Sequence, residues 1–315
     1  MLKDIPQKID IQEAAARIAP FVHHTPVLTS TYLNQISGVQ IFFKPENLQK
    51  IGAFKARGGT NAILSLTKEE LKNGVVTHSS GNHAQAIAYA AQMNGVKAYI
   101  VMPENAPRVK VAAVEAYGGE IVFCENNLEA REAGVQRIIQ QYGATFIHPF
   151  DHYDVIAGQA TAAKELLEDV ELDYLIAPVG GGGLLAGTCL AAKYFSEGVQ
   201  VYAAEPAGAA DTKLSFQKGT IQKANYIQTI ADGLLTTIGN KNFSIIKEHI
   251  EDVLLVSDEE IVGAMRYLWE RMKLVVEPSG AVSLAGLLKN KELFVGKKVG
   301  VILSGGNVDL AKLPF

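Results

Sequence analysis

Pro178-Val179-Gly180-Gly181-Gly182-Gly183-Leu184-Leu185 joins an apolar run, Tyr174–Val179, to an Ala-rich helical pattern, Leu184–Phe195. A buried strand, a glycine turn and a helix start are the parts of a parallel α/β sheet, in which ligands bind at the strand ends. Four consecutive glycines leave backbone N–H groups free to wrap an anion, and the helix that follows adds its positive end. A phosphate is the guest this loop predicts. Two other readings fit the same residues. One is a plain tight turn, for which one or two glycines suffice. The other is a nicotinamide site, because Gly181, Gly183 and Ala186 satisfy G-x-G-x-x-A and Glu205 ends the next strand where a ribose-binding acid sits.

Outward from this loop, from about Gly74, short β-rich runs alternate with helical patterns, the signature of parallel strands joined by crossover helices. The strands are predicted at Val75–Thr77, Lys97–Met102, Glu120–Cys124, Thr145–His148, Tyr174–Val179, Val199–Ala204, Val253–Val256 and Lys298–Leu303. Most are apolar throughout, as strands covered on both faces are. Helical periodicity marks Ala84–Met93, Arg108–Tyr117, Leu128–Tyr142, Ile156–Leu167, Leu184–Phe195, Glu259–Met272 and Ala281–Leu288, and Ser257 with Glu260 forms a capping box.

Three further segments carry chemistry. Thr77-His78-Ser79-Ser80-Gly81-Asn82-His83 offers hydroxyl and amide donors among the free N–H groups of a helix start, which suits a carboxylate. By itself His83 reads as a structural residue. Gly52-Ala53-Phe54-Lys55-Ala56-Arg57-Gly58-Gly59 reads as another glycine-containing turn at a strand-to-helix junction. There apolar neighbours and a nearby Arg57 favour a desolvated, nucleophilic Lys55. Leu303-Ser304-Gly305-Gly306-Asn307 ends the last apolar strand, where a serine is a turn residue or a polar contact.

Taken in order, and with Lys44-Pro45-Glu46-Asn47, Ile156-Ala157-Gly158-Gln159 and Trp269-Glu270-Arg271-Met272-Lys273 before Glu277-Pro278, these motifs resemble the serine/threonine dehydratase and serine racemase family of pyridoxal-phosphate enzymes. The resemblance runs from about Thr25 to Leu310. It implies fold type II, tryptophan synthase β-like: two open, mostly parallel sheets with flanking helices. It further implies a large cofactor-binding domain of residues 1–73 and 152–315 and a small substrate-binding domain of residues 74–151. By resemblance Lys55 is the Schiff-base lysine, Phe54 flanks the ring, and Gly180, Gly181, Gly182 and Gly183 hold the phosphate. Asn82 then contacts the ring hydroxyl and Ser304 faces the pyridine nitrogen.

The same resemblance gives Ser79, Ser80, Gly81, Asn82 and His83 to the substrate, with Ser80 as the acid/base opposite Lys55. Glu205, the carbonyl of Ala209 and Asp211 match the family's divalent-cation site, for Mg²⁺ or Ca²⁺. The implied reaction removes water from a small β-hydroxy amino acid and yields a 2-oxo acid and ammonia, with serine racemisation or 3-hydroxyaspartate as alternative directions. Two departures bear on substrate choice. Ala53 stands where animal serine racemases usually carry Ser, and Pro149-Phe150-Asp151-His152-Tyr153 looks more like bacterial threonine dehydratases. No regulatory domain follows Asn307, so isoleucine feedback is not expected.

Composition agrees with a small-molecule enzyme. The 315 residues are long enough for two lobes, and 29 Lys plus Arg against 33 Asp plus Glu leave a formal charge of −4 with no charged block, which argues against nucleic acid. Cys124 and Cys189 sit in apolar runs and read as buried thiols of a reducing, cytoplasmic protein. The N-terminus lacks a signal-peptide pattern and no segment has the length of a membrane span. A homodimer is expected.

Overall fold

The computed structural model describes residues 1–315. It contains two parallel sheets built from β1 (Gln40–Pro45), β2 (Val75–His78), β3 (Ala98–Pro103), β4 (Glu120–Cys124), β5 (Thr145–Phe146), β6 (Tyr174–Pro178), β7 (Gln200–Pro206), β8 (Ile250–Val256) and β9 (Lys298–Leu303). One sheet has the order β1-β9-β6-β7-β8 and the other β4-β3-β2-β5, and every ladder is parallel. The α/β class with two parallel sheets and flanking helices is therefore as read from the sequence. No helix is long and apolar enough to cross a membrane.

The central strands β6 and β9 are buried over nearly their whole length because helices cover both faces. On one side Ile41, Phe43, Val301 and Leu303 join Ile261, Leu268 and Leu284, and on the other Leu175 and Ala177 join Ile156, Leu185 and Leu190. The helix predicted from the Ser257/Glu260 pair begins at Asp258 with that capping box formed.

Two expectations fail at the chain's first third. β1 lies before Gly74 and escaped notice because Lys44 interrupts its apolar run. That lysine is fully buried, donating to the Thr25 carbonyl at 2.7 Å and pairing with Glu165 at 2.7 Å. Gly52–Gly59 does lie between a strand and a helix, but not as a direct turn: two short 3-10 turns, Glu46–Leu48 and Lys50–Gly52, follow β1, and the helix is Lys55–Leu64. Its glycines serve packing: a Cβ on Gly58 would stand 2.7 Å from the Val155 carbonyl, and one on Gly158 2.7 Å from the Arg57 carbonyl. The Lys55–Leu64 and Tyr153–Asp169 helices cross there with their backbones in near contact. The far end of the first helix sends Ala62 and Ile63 into the apolar core of the four-stranded sheet, so one helix spans both layers. Burial of a side chain such as Ile63 is worth about 1.5–3 kcal/mol.

Candidate active site

Parallel strands present all their C-terminal ends at one edge, and a cavity of about 600 Å³ lies where the edges of the two sheets meet. Phe54, Lys55, Ser79, Ser80, Gly81, Asn82, His83, Gly180, Gly181, Gly182, Gly183 and Ser304 all line it. Residues from both ends of the chain are thereby gathered in one place. Glu205, Ala209 and Asp211 lie outside this lining.

Lys55 opens its helix at the cavity wall, and the loop before it is stapled to the end of β9. Phe54 N–H donates to the Ser304 carbonyl at 3.0 Å, Gly306 N–H to the Gly52 carbonyl at 2.9 Å, and the Asn307 amide to the Ile51 carbonyl at 2.7 Å. This clamp holds Ile51 at φ 56°, a left-handed conformation that a β-branched residue rarely adopts. The Lys55 amine donates to the Pro149 carbonyl at 2.9 Å and stands 5.1 Å from the centre of the Phe54 ring. Burial brings its pKa down to about 8. Arg57 has no part in this, contrary to expectation. It turns away into a buried cluster with Glu46 at 2.7 Å and Glu165 at 2.6 Å.

The glycine loop follows β6 directly. Gly182 has φ 93°, and the Gly183–Phe195 helix starts after it. None of the N–H groups of Gly180 to Gly183 donates to a protein acceptor. A Cβ on Gly180 would approach Leu234 Cα to 2.9 Å, and one on Gly181 would overlap the Phe150 ring. Asn242, which the sequence reading missed, holds the loop by donating to the Gly181 carbonyl at 2.7 Å. Free amides at a helix start, beside a lysine amine of lowered pKa, fit a phosphate-bearing aldehyde such as pyridoxal phosphate.

At the end of β2, Ser79 Oγ accepts from Gly81 N–H at 3.2 Å, and Ser80 faces the cavity. Asn82 donates to Glu277 at 2.7 Å and accepts from Asn307 at 2.9 Å. Glu277 appeared in the sequence only as part of a motif. Its buried carboxyl is pushed up to about 7 by desolvation, with Lys110 pulling the other way. Lys110, from the helix after β3, forms an ion pair with Asp232 on the opposite side of the cavity. Neither residue carried a sequence signal, because each is an isolated charge in an ordinary helix or loop. Ser304 Oγ donates to the Ser279 carbonyl at 3.3 Å. His83 is buried with neither ring nitrogen bonded, and burial, then Lys55, holds its pKa well below the usual value.

Glu205 and Asp211 sit at the end of β7 and the start of the next helix, both buried. Glu205 accepts from Thr212 N–H at 2.8 Å and Lys213 N–H at 2.9 Å, and Asp211 from Ile238 N–H at 2.9 Å. Burial raises them to about 7 and about 6 respectively. Neither pairs with a cationic side chain. No group of three or more His, Cys, Asp or Glu side chains is arranged for a metal anywhere in the chain.

Comparison with known proteins agrees with this geometry. The family profile described as "Pyridoxal-phosphate dependent enzyme" matches residues 18–305. A serine racemase of Dictyostelium discoideum is 53% identical over 309 residues, 96% of this chain and 95% of that protein, and its crystal structure superposes with a TM-score of 0.92. An L-threo-3-hydroxyaspartate ammonia-lyase of Saccharomyces cerevisiae is 50% identical over 310 residues, 98% of this chain and 95% of its own. The solved structure of maize serine racemase is 44% identical with a TM-score of 0.96, covering 98% of this chain and 95% of that one.

Proposed function

The chain belongs to the pyridoxal-phosphate-dependent enzyme family, and on that premise we propose that it is a serine/threonine ammonia-lyase with an accompanying serine racemase activity. The product is a 2-oxo acid and ammonia: pyruvate from serine, 2-oxobutyrate from threonine. 3-Hydroxyaspartate is the alternative substrate, supported by the similarity to the yeast ammonia-lyase. The observation that carries the reading is the convergence of the Lys55 amine, the four free N–H groups of Gly180 to Gly183 and the Ser80 hydroxyl on one cavity.

The residues have distinct tasks. Pyridoxal phosphate, when bound, supplies an electron sink for the carbon bearing the substrate amine. Gly180 to Gly183 would hold its phosphate, Lys55 its aldehyde carbon, and Phe54, Asn82 and Ser304 its ring. Ser304 is a neutral partner that does not force a proton onto the ring nitrogen. The Ser79–His83 turn would bind the substrate carboxylate with its N–H and hydroxyl donors. Lys55, at about 8, is populated as the free amine near neutral pH and can take the Cα proton. Ser80 would return a proton from the other face.

The proposal extends to organisation. Residues 74–151 act as the small substrate-binding domain and residues 1–73 with 152–315 as the large one. Glu205 and Asp211, with the Ala209 carbonyl, hold Mg²⁺ or Ca²⁺, supported by two buried carboxylates that lack a cationic partner. Tyr32, Leu48, Val275 and Phe315 are exposed apolar residues, and Arg271 and Arg266 lie over the Tyr32 and Phe315 rings. Such a patch suits a second copy of the chain. Free Cys124 and Cys189 suit the reducing cytoplasm.

The test is direct. Purified protein is expected to be yellow, and borohydride to fix the cofactor on Lys55. Lys55→Ala should abolish turnover of both enantiomers of serine, threonine and 3-hydroxyaspartate. A colourless protein that binds a nicotinamide nucleotide overturns the reading.

A further inference from the structure

His148 lines the active-site cavity one residue before Pro149, whose carbonyl receives the Lys55 amine. Its ring is fixed from behind. Nδ1 accepts two backbone N–H groups, from Asp151 at 2.9 Å and Phe150 at 3.3 Å. The ring also meets Phe150 edge-on at 4.7 Å between centroids, Phe146 at 5.9 Å and His78 at 6.0 Å. An Nδ1 that accepts twice carries no proton, so the neutral ring bears its hydrogen on Nε2. Nε2 has no protein partner and is not among the enclosed polar atoms.

Protonation is opposed by the ring's surroundings. A hydrogen on Nδ1 would point at two N–H donors, and His78, Lys55, His152 and Lys241, all bases, disfavour the charge, with His83 a further base that interacts with the ring. Burial, with these groups, pushes His148 down to about 3. At working pH it is a donor that cannot act as a strong acid.

A β-hydroxy amino acid brings three polar groups. On the reading above, the carboxylate meets the Ser79–His83 turn and the amine comes to the place of the Lys55 amine. The oxygen on Cβ is left. We propose that His148 Nε2–H is the hydrogen-bond donor to that oxygen, and so a substrate-positioning group that eases its departure. The inference rests on the ammonia-lyase reading. In the elimination the Cα proton passes to Lys55, the C–H pair becomes the Cα–Cβ double bond, and the Cβ–O pair leaves with the oxygen, which takes up the proton that Lys55 collected and departs as water. His148 keeps its hydrogen throughout. A positioned donor at a developing negative oxygen is worth about 10²–10³ in rate.

The test uses the holoenzyme and two leaving groups. His148→Asn keeps an acceptor for the Phe150 and Asp151 amides but cannot reach the place of Nε2, whereas the longer amide of His148→Gln can. With L-serine, His148→Asn is expected to lose about 10² more in kcat/KM than with L-3-chloroalanine, because chloride leaves without a donor. His148→Gln should recover part of the serine activity. A readout free of turnover comes from calorimetry with 2-methylserine and 2-aminoisobutyrate, which have no Cα proton. The parent should prefer the hydroxylated ligand and His148→Asn should not. Equal losses on both substrates, with the ligand preference intact, overturn the inference. A parent that eliminates from neither substrate overturns the ammonia-lyase reading itself, and this inference with it.

Discussion

At the scale of single residues, Glu277 shows what the cavity does to a charge. Its carboxyl is 2% exposed and is raised to about 7 chiefly by desolvation. The unfolded chain therefore gives up this proton at lower pH than the folded protein does, so the group's contribution is complete below about 4.5 and is lost as pH rises through 7. Glu277→Gln keeps an acceptor for Asn82. In cofactor-free protein it is expected to raise Tm at pH 8, by the equivalent of up to about 3 kcal/mol, and to change nothing at about pH 4. Thermal melts at the two pH values decide this, and an equal shift at both would point to packing instead. Ser80 tests the chemistry. Racemisation needs a proton on the face opposite Lys55, while elimination needs only Lys55 and a leaving group. Ser80→Ala should therefore keep part of L-serine dehydration and cut L/D interconversion by about 10²–10⁴ in an enantiomer-resolved assay. Equal losses would make Ser80 a binding group only.

At the scale of elements, the site is made by junctions rather than by helices or strands themselves. The end of β9 fixes the Phe54 backbone, Asn242 fixes the glycine loop, and Asp151 caps the Asn240–His249 helix by accepting Lys241 N–H at 2.8 Å. The β7-to-helix junction at Glu205 and Asp211 should behave as a cation site. A chelator is expected to lower Tm and activity, with Mg²⁺ or Ca²⁺ restoring both, since a cation bound only by the folded state stabilises it by mass action. Asp211→Ala should abolish the response. A parent indifferent to chelator rules the site out.

At the scale of the whole molecule, the cavity lies between two sheets, and the Lys110–Asp232 ion pair reaches across it. The exposed Leu48 and Val275 lie near each other, joined by the Asn47 amide donating to the Val275 carbonyl at 3.1 Å. Light scattering is expected to give a dimer for the parent, and Leu48→Arg, which sets a charge in that patch, a monomer. A monomeric parent would leave the patch without this role.

By itself the sequence determined the architecture and named residues that line the cavity. An apolar run such as Tyr174–Pro178 bounded by glycines favours a strand covered on both faces, and four glycines after such a strand favour a turn whose amides are left free. These are local properties, carried by neighbours in the chain. Arg57 was misread, and the strand that carries Lys44 was missed, because burial of a charge depends on partners far away in the chain: Glu165 holds both. For the same reason only the tertiary structure decided that Glu277, Lys110, Asp232 and Asn242 belong to the site, and that two amides fix the tautomer of His148. Hydrogen bonds and desolvation act over a few ångströms of space, and the fold alone sets which residues share them.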